Sequence, residues 1–286
     1  MQQDSGEPAI DLSLSTDPEI GFATKILDEV TRLVSPLKVR YLVVGATARN
    51  IQSVGLMNEV PDRATKDVDI AIAIDNWKDY DRISRVLPRK GIHQHKFEVL
   101  GAEVDVVPFG EIEDENREIC WPGGATRMNV VGYREARESA MAVTMPSGSR
   151  ISVPSIAAQA VLKLMAWNDR RMYTSKDAVD LRSIITWYSE GPFETELFDR
   201  HRSILDIYEW ETVSAGAHRL GEDMANLLSH RHAYQMVLDV LENQATMDTL
   251  AGSMGFDPRT NLQRIRAMRS GFVSAGAAVS PHTPAA

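Results

Sequence analysis

Asp67 and Asp69 stand two apart in Asp67-Val68-Asp69-Ile70-Ala71-Ile72-Ala73-Ile74-Asp75, a stretch whose alternation is nearly strict. In an extended chain successive side chains point to opposite faces, so both carboxylates share one face, roughly 6–7 Å apart along the backbone. Two like charges so placed repel each other and resist burial unless a cation neutralises them. Oxygen-only ligands of this kind suit Mg²⁺ or Mn²⁺. An isolated Asp-x-Asp also fits a solvated strand edge; the neighbouring stretches are what argue for chemistry here. Ala102-Glu103-Val104-Asp105-Val106-Val107-Pro108-Phe109 alternates in the same way and offers Asp105 as a third carboxylate, with Glu103 in phase.

The elements that would position these groups are legible on either side. Val39 to Val44 reads as a strand that breaks at Gly45, and a helical stretch follows to about Gly55. Glycine lets the backbone approach a ligand closely, and the first amides of the helix, at Gly45, Ala46 and Thr47, would face any phosphate placed there. Thr47 adds a hydroxyl and Arg49 is a candidate phosphate partner. Arg63, Thr65 and Lys66 border the entrance of the Asp67 strand. The chain has no GxxxxGK[ST], which excludes a P-loop. Trp77 to Leu87 predicts an amphipathic helix, and Phe97 to Leu100 a strand turned at Gly101 into the Asp105 strand. His93 and His95 would share a strand face, but no third metal-type ligand lies near them, so they read as exposed. Trp121 fits either a wall of the nucleotide pocket or a core tryptophan beside a turn. The acidic run Glu111, Glu113, Asp114 and Glu115 reads as a solvated loop.

Further on, Ile156 to Arg171 is strongly helical, with Ala157, Ala160, Val161, Leu164 and Met165 as its buried stripe. Lys163 and Arg170 share a face two turns apart. The stripe leaves Lys163 as a surface lysine, whose replacement by Met should change stability by no more than about 0.5 kcal/mol. A second helix follows, in which Asp177, Asp180 and Leu181 recur at spacings of three and four.

The order strand–Gly45-Ala46-Thr47–helix, then Thr65-Lys66-Asp67-Val68-Asp69, then a lone Asp105, resembles the nucleotidyltransferase fold of the DNA polymerase β superfamily. Together with the segments Leu162 to Arg170 and Lys176 to Leu181, it is similar more narrowly to the AbiEii/MenT-like nucleotidyltransferases, several of them toxins of toxin–antitoxin or phage-defence systems. The resemblance covers about residues 38–190. It implies a metal-dependent transfer of NMP from an NTP to an acceptor hydroxyl, with a tRNA 3′ end, or another RNA, as the first acceptor to consider and a cognate antitoxin protein as a partner. It further implies a two-ion site, with Asp67, Asp69 and Asp105 as ligands of Mg²⁺ or Mn²⁺. Gly45, Ala46, Thr47, Arg49, Thr65, Lys66 and Lys163 would bind the nucleotide, with Lys163 also neutralising the leaving phosphates and Asp177 supporting it. The family's usual Gly-Gly or Gly-Ser is Gly45-Ala46 here, and the extra methyl narrows the approach of the triphosphate.

Composition sets the remaining bounds. The 286-residue chain is 43% hydrophobic and 25% charged, ordinary for a globular protein. Its net charge of −9 argues against a nucleic-acid coat and slightly favours a protein or small molecule as acceptor. A single cysteine, Cys120, excludes an intramolecular disulfide and fits a reducing cytoplasm; no run is apolar enough to span a membrane. The fold class expected is α/β: a small mixed β-sheet flanked by helices, followed by a helical C-terminal region. The expected layout is a disordered tail over 1–16, a nucleotidyltransferase core over 17–153, a helical domain over 154–270 whose 154–190 segment contributes to the site, and a second tail over 271–286. Arg264, Arg266 and Arg269 give the last helix a basic side, read as a solvated face. A different class of function, a binding protein on the same fold without catalysis, is opposed by the three retained carboxylates.

Overall fold

Alternation and helical stripes become real elements across most of the chain. The computed structural model describes residues 10–278 except Asp62, Ala125 and Ser229, and the backbone alone of Ala277 and Ala278. It divides into two compact units, Met1–Ser155 and Ile156–Ala286.

In the first unit the order is β1 (Ile10–Asp11), α1 (Pro18–Val34), β2 (Tyr41–Val44), α2 (Gly45–Gln52), β3 (Asp67–Ile74), α3 (Trp77–Val86), β4 (Lys96–Val99), β5 (Ala102–Gly110), β6 (Glu118–Cys120), β7 (Arg127–Asn129), α4 (Tyr133–Glu138), β8 (Met141–Thr144) and β9 (Arg150–Val153). The central sheet runs β2-β3-β5-β4, with β3 and β5 parallel and the outer strands antiparallel to them. Its buried face carries Val68, Ile70, Ile72, Val104 and Val106, each wholly buried. At about 1.5–3 kcal/mol per fully buried aliphatic side chain, this row is the main reason β3 and β5 hold their register. Helix α1 starts where Asp17 accepts hydrogen bonds from the Glu19 and Ile20 amides, at 2.8 and 3.2 Å. It packs against α2 and α3.

Order begins earlier than the composition suggests. Residues 10–16 are not a tail: Ile10 pairs in parallel with Val143 of β8, and Ile10 and Leu12 are buried. Two apolar side chains and one ladder suffice to dock them; residues 1–9 lie outside the description. The loop-rich 110–132 segment contains the β6–β7 pair, and Glu113 is no solvated loop residue. Its side chain is 2% exposed and accepts from Arg117 at 2.5 Å, while Arg117 reaches Glu135 at 3.1 Å. His93 and His95 precede β4 instead of lying in it. His95 is half-buried against Trp121, which packs with Trp77 and Tyr80 and is 5% exposed, so Trp121 is a core residue.

The second unit is all helical: α5 (Ile156–Arg170), α6 (Lys176–Trp187), α7 (Gly191–Arg200), α8 (Arg202–Ile207), α9 (Thr212–Leu227), α10 (Arg231–Glu242), α11 (Gln244–Ser253) and α12 (Pro258–Ala278). Helices α9 and α12 run in close contact because Gly221 and Gly271 have no side chain. A Cβ at either would sit 1.9 Å from the Met268 carbonyl or 1.8 Å from that of His218. Helix α12 carries through Phe272, which is buried, so the expected tail from 271 is helix as far as Ala278. Its basic side is not wholly solvated: Arg264 is half-buried and donates to Thr186 Oγ1 at 3.2 Å. Among the described residues no helix is long and apolar enough to cross a membrane.

Candidate active site

Register brings the carboxylates together. The parallel β3–β5 ladder sets Asp67 beside Glu103 and Asp69 beside Asp105, so four acidic side chains share one face of two adjacent strands. Neighbouring strands lie about 4.8 Å apart, close enough for strong mutual repulsion. Hydroxyl and ammonium groups relieve it. Thr65 donates from Oγ1 to Asp67 Oδ1 at 2.6 Å. Lys96 of β4 stands directly across from Asp105 in the antiparallel ladder, and its Nζ lies 3.2 Å from both Asp105 oxygens and against Glu103 Oε1. Lys90 closes on the other Glu103 oxygen at 3.0 Å.

These contacts set the proton affinities. Burial pushes the Asp105 carboxyl above the ordinary range, and the Lys96 ammonium offsets this only in part. Burial works against the Lys96 ammonium, but Glu103 and Asp105 outweigh it and hold its pKa above the usual lysine value. Lys96 is therefore a fixed positive charge inside the acidic face.

Gly45 touches the site most closely. Strand β2 ends at Val44, paired with Asp69, and Gly45 follows with φ +66°. A Cβ there would lie 2.0 Å from Asp69 Oδ2 and 2.7 Å from its Cγ. Only glycine allows the start of α2 to rest on the Asp69 carboxylate. The residues after it face inward. Ala46 is 9% exposed and Thr47 1%, with the Thr47 hydroxyl donating to the Asp67 carbonyl at 3.4 Å. Arg49, expected to meet phosphate, is 3% exposed and donates to the Arg63 carbonyl at 3.0 Å. It braces the loop before β3 from beneath, whereas Lys66 and Asp67 are exposed at the strand entrance.

Two groups escaped the sequence. Glu19 of α1 accepts from the Thr65 amide at 2.8 Å and from Asn50 at 3.4 Å, fixing the loop that carries Thr65. Nothing local signals this, since the partners lie 46 and 31 residues apart. Lys96 did leave a signal. The β4–β5 turn has two central residues of positive φ, Leu100 (52°) and Gly101 (81°), the geometry of a tight two-residue hairpin. Counting back from it places Lys96 opposite Asp105. Among the described residues, no three His, Cys, Asp or Glu side chains form a group that could hold a metal ion. Asp105, one of three ligands expected, faces Lys96.

Lys163 and Asp177 belong to a charged cluster in the second unit, with Asp180 and Arg170. Lys163 is not a surface lysine. It is 6% exposed, and its ammonium lies 2.6 Å from Asp180 Oδ2 and 3.2 Å from Asp177 Oδ1. Arg170 binds Asp177 with two donors, at 2.6 and 3.0 Å. Helix α5 is buried around its whole girth from Ile156 to Met165, which the apolar stripe alone understated. A recess lined by Arg40, Asp75, Asp79 and Arg137 lies at the opposite end of β3 and takes no part in the carboxylate face.

The sequence matches no protein-family model, and no curated protein matches it. Several solved structures do. An antigenic nucleotidyltransferase-like protein from Paracoccidioides brasiliensis is 14% identical with TM-score 0.38, over 69% of this chain and 93% of that one. ANT(2")-Ia in complex with adenylyl-2"-tobramycin is 10% identical with TM-score 0.35, over 62% of this chain and 94% of that one. These neighbours are nucleotidyltransferase-like proteins.

Proposed function

We propose that the first unit transfers an NMP from an NTP to an acceptor hydroxyl at the face formed by Asp67, Asp69 and Asp105. One observation carries this reading. The backbone at Gly45 is pressed onto the Asp69 carboxylate, so the helix start meets one strand carboxylate, with Asp67 two residues away on the same strand. That juxtaposition suits a triphosphate with a divalent ion, because Mg²⁺ is commonly held by one or two carboxylates plus phosphate oxygens. Asp67 and Asp69 would hold the ion, which supplies charge to offset the phosphates. The amides of Gly45, Ala46 and Thr47 would cradle phosphate oxygens; the buried Thr47 hydroxyl would act through Asp67. Lys66 and Thr65, at the open entrance, would border the nucleotide. Arg49 and Glu19 would keep their loop in place.

Asp105 would accept the proton of the acceptor hydroxyl as its oxygen bonds to the α-phosphorus and pyrophosphate departs. A carboxylate whose proton affinity is raised by burial is a better base than an exposed one. Lys163 and Asp177 would contribute through structure: with Asp180 and Arg170 they lock α5 to α6, leaving no mobile ammonium for the leaving phosphates. Arg170, whose side chain is 56% exposed, is the cation of that cluster open to solvent.

The acceptor is the open half of the reaction. A tRNA 3′ end, suggested by the likeness to MenT-like toxins, is one class, and would bring an antitoxin partner with it. The net charge of −9 favours a protein or small molecule instead. Each α-labelled NTP in turn, with Mg²⁺, total RNA and cell protein, separates them. Label should enter one fraction with wild-type protein and none with Asp69→Asn; label in no fraction with any NTP contradicts the proposal.

A further inference from the structure

We propose that Lys96 takes the place of the acceptor-side cation, so that this site works with one divalent ion and a built-in ammonium. The inference rests on the nucleotidyl-transfer reading and refines it. A two-ion site places its ions roughly 3.5–4 Å apart, bridged by carboxylates. The carboxylate available for the second ion is Asp105, and both its oxygens lie 3.2 Å from Lys96 Nζ. A divalent ion bound there would stand within a few ångströms of a positive charge.

Lys96 is not placed by chance. It sits on an ordered strand, opposite Asp105 in the β4–β5 ladder, and is also held by Glu103. Lys90 fixes Glu103 from the other side, so swinging Lys96 away would strip a charge partner from two carboxylates at once. Asp67 is met by the Thr65 hydroxyl and Asp69 by the Gly45 backbone. The Asp105 half of the acidic face thus carries its own cation, and on the nucleotidyl-transfer reading the divalent ion is held by Asp67 and Asp69. Lys96 acts here as a positioning residue, orienting Asp105 toward the acceptor.

The ion count tests this directly. Full-length protein is saturated with a non-hydrolysable analogue of the NTP it binds best, and bound Mn²⁺ is counted by the loss of the free-ion electron paramagnetic resonance signal. Wild type should take up one Mn²⁺ per chain beyond the analogue-only control. Lys96→Met should take up a second, and Lys96→Arg should stay at one. Two ions on wild type would overturn the proposal while leaving nucleotidyl transfer intact. So would a single ion on a folded Lys96→Met with the analogue bound. Should Lys96→Met fail to fold, the wild-type count and Lys96→Gln decide. Absence of any analogue binding in the presence of Mn²⁺ would instead overturn the nucleotidyl reading, and this inference with it.

Discussion

Replacing Lys163 by Met should destabilise the helical unit severely. The substitution keeps the aliphatic stem and the helix propensity but deletes an ammonium 2.6 Å from Asp180, whose side chain is 0% exposed, and 3.2 Å from Asp177, at 2%. Breaking a buried pair from one side typically costs about 3–5 kcal/mol, because the remaining charge is left desolvated. Arg170 still holds Asp177, so the lower end, about 3 kcal/mol, is expected. With a urea slope of about 2 kcal/mol/M, the midpoint should fall by about 1.5 M. Far-UV circular dichroism in urea measures it. Lys163→Met/Asp180→Leu should recover most of the loss, since it removes both charges. The pH dependence has a fixed sign. Burial raises the Asp177 pKa, but the Arg170 hydrogen bond and the charges of Lys163 and Arg170 outweigh it and hold it below 3.8. A lowered carboxylate contributes stability that is complete above its unfolded value and fades as pH falls through the folded one. The wild-type midpoint should therefore drop in acid, below about pH 4. A loss under about 1 kcal/mol would return Lys163 to the surface role that helix periodicity suggests and refute the buried cluster.

Gly45→Ala should lower stability by about 1–2 kcal/mol through its left-handed φ, and push Asp69 aside. NTP affinity measured by calorimetry should fall at least about tenfold, or 1.4 kcal/mol; unchanged affinity would separate Gly45 from the site. Glu19→Ala should cost about 1–2 kcal/mol in urea unfolding and speed hydrogen exchange at the Thr65 amide. Glu19→Gln, which keeps an acceptor oxygen, should spare most of it.

The strands that carry the three carboxylates are legible because their signal is local. β3 and β5 each alternate over eight or more residues, enough to place Asp67, Asp69 and Asp105 on solvent-side phases. Helix α1 announces itself through Asp17 and Pro18. What could not be read depends on partners distant in sequence. Docking of Ile10 beside Val143 is decided by a two-residue ladder across the unit. The bridge from Glu19 to Thr65 needs α1 and the β3 entrance to be neighbours. Lys163 misled for a related reason. Helical periodicity predicts one buried face, but α5 is enclosed by α6, α9 and α10, and a lysine on its second face had to find carboxylates. For Arg49, spacing shows proximity to Gly45 and not the direction of the side chain, which is buried and donates to the Arg63 carbonyl.

On the proposed reading, Asp67 and Asp69 hold a triphosphate through a divalent ion beside Gly45. Isothermal calorimetry of each NTP, with Mg²⁺ and then with EDTA, on wild type, Asp67→Ala and Asp69→Ala, tests it most directly. At least one NTP should bind wild type with Mg²⁺, and binding should weaken at least about tenfold with EDTA or on either substitution. Equal binding with EDTA, or full metal-dependent affinity in Asp69→Ala, would contradict the account.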